Sequence, residues 1–194
     1  MSDQLVQPIF RNFPLNDAIA QLNAFIVSAM VVPCTRPKPS YFDTEHPERI
    51  DSSARNIEDY VERVARYSAK AMVRTWSSEV LCIAAIYMRR LAHHYGGLTD
   101  HNVHRFTAIA IWVACKFHLE AVMSVACFSN ISGIGVTEIE RCERDFLSRI
   151  DFRLWVGREE FDSACSEWEY LRSLHPRKTK AVPICIENKQ HSAE

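Results

Sequence analysis

Glycine is scarce, with five residues in a chain of 194, too few and wrongly placed for a loop that cradles phosphate. An excess of charge of one sign is missing too. The 23 basic and 24 acidic residues leave a net charge of −1, which argues against a protein held to nucleic acid or polyphosphate by electrostatics. Arg63, Arg66, Lys70, Arg74, Arg89 and Arg90 do lie close in sequence, but Glu58, Asp59, Glu62 and Glu79 interleave with them, the pattern of a solvated mixed-charge face. No CxxC occurs among the seven cysteines. Cys82, Cys115, Cys127 and Cys142 fall inside apolar helical patterns, as free core thiols of a reducing compartment do. No apolar run is long enough to span a bilayer, and the N-terminus lacks a secretory pattern. The expectation is a soluble intracellular protein, in the cytoplasm and/or the nucleus, with no membrane partner.

Catalytic constellations are absent as well. His93 and His94 are adjacent, and His101 and His104 are three apart, which could set two imidazoles on one helical face. The helical metal hydrolases that use such a pair also need a His-Asp dipeptide, and none is present. His104 is expected to pack at a helix start or to bond a backbone group. Ser77, Ser78 and Glu79 precede an apolar helical run and read as capping, not as a nucleophile. The residues therefore point to no catalytic site, no metal, no cofactor and no small-molecule substrate.

What is present is apolar helix. Phe106 to Phe117 reads FTAIAIWVACKF, apolar except for Thr107 and Lys116, and a helix apolar all round belongs in the middle of a bundle. Three alanines and the lack of internal Gly or Pro favour helix over strand. Lys116, near its end, is either a solvated charge favoured by the helix dipole or a functional charge at the tip of the core helix.

Around it the periodicity predicts further helices. An N-terminal one runs from about Phe13 to Val32, with Ile19, Leu22, Phe25, Ile26 and Met30 as its apolar positions. Four prolines between residues 33 and 47 follow, a linker composition. The compact domain is then expected over 54–172, after an N-terminal helix and linker (1–53) and before a polar tail (173–194). Within it the spacing predicts helices over 56–70 (Ile57, Tyr60, Val61, Val64, and Tyr67 or Ser68), Ser77–Leu91, Ala121–Phe128, Thr137–Ile150 and Phe161–Leu174. Thr137 and Glu140 read as a capping box. Glu143 falls at the edge of the stripe formed by Ile139, Cys142, Phe146, Leu147 and Ile150. No convincing strand appears, so the class is all-α.

Three segments, IEDYVERVARY (57–67), LTDHNVHRFTAIAIWVACKF (98–117) and SNISGIGVTEIERCERDFLSRIDFRL (129–154), resemble the cyclin box in order and spacing, and PHO-type cyclins more than mitotic ones. Phe161 extends the likeness, which covers about half the chain. The resemblance implies a five-helix cyclin box with an extra N-terminal helix on its outside and a short C-terminal helix. It implies no catalysis of its own, and a regulatory subunit that binds and activates a cyclin-dependent protein kinase in cell-cycle or nutrient-responsive control.

By position, Lys116 and Glu143 match the lysine and glutamate that cyclins set at the kinase interface. Phe117 and Leu147 match apolar neighbours there, Glu120 is the one acid left of those that often follow the lysine, and Phe152 and Leu154 match the residues just after the fifth helix. His118 and Leu119 replace acidic residues that often follow the lysine, and no Met-Arg-x-Ile-Leu docking patch occurs on the first helix. The N-terminal helix is expected to set the kinase approach, so that deleting residues 1–32 weakens kinase binding more than it lowers the melting temperature. The alternative readings are a cyclin-fold transcription or nucleic-acid adaptor and a helical metal-dependent hydrolase. Lys116 and Glu143 are expected to stand close together, either merely as an ion pair or directed at a partner.

Overall fold

Every residue from Phe106 to Cys115 is buried, and the helix that contains them is the axis of the molecule. The structure, a computed structural model, describes residues 13–29, 56–95, 98–99 and 102–174. Among these residues there are seven helices and no strand: α1 (Leu15–Ala29), α2 (Ile57–Ala71), α3 (Glu79–Tyr95), α4 (Val103–His118), α5 (Val125–Ser132), α6 (Val136–Arg149) and α7 (Arg158–Leu174). The helix starts three residues before Phe106, at the buried Val103, with half-buried His104 and Arg105 between them. α4 packs against α2, α3 and α6, and Trp112 stacks on Phe128 of α5 with ring centroids 4.8 Å apart.

α3 is as enclosed as α4. Its residues Val80 to Met88 are all buried, covered by α4 on one side and by α1 and α7 on the other. α1 was expected on the outside of the domain, yet Ala18, Leu22 and Ile26 are fully buried in the one core that all seven helices share. The reason is that an α3 apolar on every face needs a cover that α2 and α4–α6 cannot supply. Phe25 meets Trp168 of α7 edge-on at 5.9 Å, and Cys82 Sγ–H donates to Gln21 Oε1 at 3.2 Å. The proline-rich linker and the polar tail from residue 175 onward lie outside the described residues.

Capping chemistry fixes the remaining boundaries. α2 begins where the Asn56 side chain accepts from Glu58 N–H, and it buries Ser68 rather than Tyr67, which is 57% exposed. The helix expected over Ala121–Phe128 is displaced to Val125–Ser132. Ser124 caps it by accepting from Cys127 N–H, and Gly133 ends it at φ 74°, a left-handed conformation that costs glycine little. The capping box at Thr137 does not form: Gly135 is the N-cap of α6, and Thr137 already lies inside the first turn. The C-terminal helix is not short, since α7 starts at Arg158, three residues before Phe161, with Glu159 and Glu160 at its positive N-terminal end.

Candidate functional site

α4 and α6 pack side by side, and this brings Lys116 and Glu143 together across 27 residues of sequence. The Lys116 ammonium donates to Glu143 Oε1. The other carboxylate oxygen, Oε2, accepts from Trp112 Nε1–H at 2.8 Å, and the Lys116 ammonium lies 5.6 Å from the Trp112 ring centroid. Lys116 follows Trp112 by four residues, so both leave α4 on one face. The burial is unequal: the Lys116 side chain is 44% exposed and that of Glu143 16%. Glu143 is therefore the held member of the pair, and the lysine faces solvent. Trp112 counted in the sequence only as an apolar position, although its indole N–H one turn before a lysine was a signal for a polar partner.

Phe117, next to Lys116, is 45% exposed and meets the His118 ring edge-on at 4.9 Å. Leu147 and Leu154 are half-buried against the core. Phe152 stands out at 69% exposure, and Trp155, which the sequence did not flag, at 53%. Glu120 is exposed in the turn after α4, with no ion pair among the described residues. Of the residues expected at the site, the structure joins Lys116 and Glu143 directly, sets Phe117 at their side, and places Phe152 and Leu154 in the segment that leaves α6. Leu147 packs half-buried against the core from α6, and Glu120 is exposed after the end of α4.

His118, where a family acid was expected, turns inward. Tyr87 O–H donates to Leu154 O at 2.6 Å, and His118 Nε2 lies 3.0 Å from the same phenol oxygen. The phenol has one proton and gives it to Leu154, so Nε2 carries the imidazole hydrogen. Burial lowers the His118 pKa from about 6.5 to about 4. Between these values the unfolded chain binds more protons at this position than the folded one, so His118 makes stability rise with pH over that window. The expected result is that wild type loses melting temperature as pH falls from 6.5 toward 4 more steeply than His118→Gln; parallel profiles would contradict the assignment.

The other titratable groups speak of packing. Burial pushes the Cys115 and Cys142 thiols up to about 12, which removes them as nucleophiles, and the five cysteines among the described residues form no disulfide. His104 packs edge-on against Tyr60 at 5.0 Å. Several arginines of the mixed-charge face are neutralised: Arg66 by Glu62 at 2.8 Å, Arg89 by Glu167 at 3.0 Å and Arg90 by Glu160 at 2.7 Å. Among the described residues no helix is long and apolar enough to cross a membrane, and no three His, Cys, Asp or Glu side chains gather as metal ligands.

Comparison with known proteins gives the family. The family described as Cyclin matches residues 10–154, a span that includes α1 and ends at Leu154. Cyclin-P3-1 of Oryza sativa subsp. japonica is 35% identical over 115 residues, 59% of this chain and 46% of that protein. Cyclin-P4-1 of the same organism is 32% identical over 122 residues, 60% and 55% of the two chains. The PHO85 cyclin-like protein psl1 of Schizosaccharomyces pombe is 23% identical over 111 residues, 56% and 43%. The chain spans about half the length of the curated relatives it matches.

Proposed function

We propose, proceeding from the fact that the chain belongs to the cyclin family and is of the PHO type, that it binds a cyclin-dependent protein kinase through the face carrying Lys116 and Glu143 and so activates it. Cyclins are regulatory proteins and not enzymes, so the chemistry of the complex belongs to the kinase. The observation that carries the reading is the charge pair itself: a glutamate with one oxygen fixed by Trp112, an outward lysine beside it, and an exposed Phe117 next to that lysine in the chain. Aromatic side chains around a partly desolvated charge pair have the make-up of an interface centre. Lys116 supplies donors to partner carbonyl or carboxylate oxygens, and Glu143 accepts from partner N–H groups. The setting is intracellular, in the cytoplasm or the nucleus, in cell-cycle or nutrient-responsive control.

Affinity isolation of the chain from its own cells should recover a protein kinase in stoichiometric amount, and adding the chain to that kinase should raise phosphoryl transfer. A kinase indifferent to the chain, or metal-dependent turnover by the chain alone, would overturn the reading. The nucleic-acid alternative has less support, because Arg66, Arg89, Arg90 and Arg105 are paired with carboxylates of their own chain. Filter binding across salt tests it: a phosphate binder loses affinity steeply as salt rises.

A further inference from the structure

Tyr87 and Arg90 stand three residues apart on α3, on one face of the helix, and their polar ends reach three consecutive carbonyls of the segment after α6. Tyr87 donates to Leu154 O at 2.6 Å. Arg90 donates to Arg153 O through Nη1 and to Trp155 O through Nη2, the latter at 3.1 Å. Glu160, in the first turn of α7, fixes the guanidinium by accepting from Nη2 at 2.7 and 2.9 Å. The Arg90 side chain is only 15% exposed; its bonds to Glu160 are half-buried, and those to the two carbonyls lie at the surface.

The two residues just before the held carbonyls are strained. Asp151 and Phe152 have φ of 52° and 53°, the left-handed region that residues with a β-carbon rarely adopt. Such a conformation persists where surrounding bonds over-determine it. Packing does not hold the Phe152 ring, which is 69% exposed. Backbone bonds do part of the holding: Phe152 N–H donates to Leu147 O and Leu154 N–H to Phe152 O, each at 2.9 Å. The carbonyls beyond are held by Arg90 and Tyr87.

We propose that Arg90 is a positioning residue for partner binding: by tying the Arg153 and Trp155 carbonyls to Glu160 of α7, it sets the segment 151–155 so that Phe152 and Leu154 stand in their docking arrangement before the kinase arrives. This rests on the kinase reading above. A loop and ring already fixed lose less conformational freedom on binding than loose ones, and Arg90 supplies that fixing without touching the partner itself.

The test uses the full chain and the kinase recovered with it. Arg90→Met keeps the aliphatic stem and removes the donors. Amide exchange in residues 152–155 should rise in the free variant, and its kinase Kd should weaken roughly ten-fold. Arg90→Lys, which keeps one charge for Glu160, should recover part of the loss. In a Phe152→Ala background the same Arg90→Met change should weaken binding far less, because the ring it positions is gone. A merely structural role predicts the same loss in both backgrounds. If Arg90→Met does not fold, Glu160→Gln, which loosens the guanidinium and leaves its carbonyl bonds, takes its place with a smaller loss of the same pattern. Equal losses in both backgrounds, or unchanged exchange and affinity, overturn the proposal while a weakened Phe152→Ala leaves the kinase reading standing. Recovery of no kinase, or wild-type binding by Phe152→Ala together with Glu143→Gln, overturns both.

Discussion

Deleting residues 1–32 is expected to leave a chain that no longer melts cooperatively. The deletion removes α1, whose Ala18, Leu22 and Ile26 are fully buried and whose Ile19 and Phe25 are 6% exposed, and it uncovers the flank of α3 that α1 covers. Truncating one buried Leu or Ile to Ala costs about 2–5 kcal/mol, and a domain of this kind is stable by only about 5–15 kcal/mol. Loss of the whole face therefore exceeds what the domain can lose. The helix position alone suggests the opposite ranking, with binding hurt more than stability. Leu22→Ala is the graded version: a loss of about 2–5 kcal/mol should lower the melting temperature by roughly 4–20 °C. A deletion chain that unfolds in one sharp transition near the wild-type temperature would show that α1 is an appendage after all.

The second large effect lies at the charge pair, where removing either partner should not have the same consequence. Lys116 is 44% exposed, so Lys116→Ala breaks a pair of the surface kind, worth about 0–1 kcal/mol, and its ammonium was already hydrated. Glu143 is the acceptor for the indole N–H of Trp112, a residue 4% exposed. Glu143→Ala leaves that donor unpartnered, at about 1–3 kcal/mol. Glu143→Gln keeps an oxygen for Trp112 and removes only the charge, so its melting temperature should stay close to wild type. In kinase binding the three variants should converge, because truncating or neutralising a buried interfacial charge costs about 2–5 kcal/mol, some thirty- to several-thousand-fold in Kd. Thermal melts and quantitative pull-downs on the same preparations decide the matter. Well-folded Lys116→Ala and Glu143→Gln proteins that bind and activate the kinase as wild type does would remove these residues from the site.

Much of this was legible in the sequence for a specific reason: a helix apolar on every face can only be interior, so FTAIAIWVACKF announced both the all-α class and its own place. Segment spacing then carried the family likeness, and with it the positions Lys116 and Glu143. α5 was misread, because its N-cap is a serine inside an apolar stretch and periodicity over eight residues is weak. The capping box failed for a related reason. Gly135 can cap by backbone geometry alone, and the helix then begins before Thr137.

By itself the sequence determined the long helical stretches, which of them must be covered, and that a lysine stands near the end of the central one, since these follow from local propensity and the period of the apolar positions. What covers α3 was a matter for the tertiary structure, because an apolar face states a need and names no partner; α1 and α7 met it. The same holds for polar groups. Arg90 looked like a surface charge until the fold brought carbonyls of the 153–155 segment to it and to Tyr87, and Lys116 and Glu143 met only when α4 and α6 packed. Hydrogen bonds and ion pairs act over a few ångströms, so which groups meet depends on how helices distant in sequence are laid side by side.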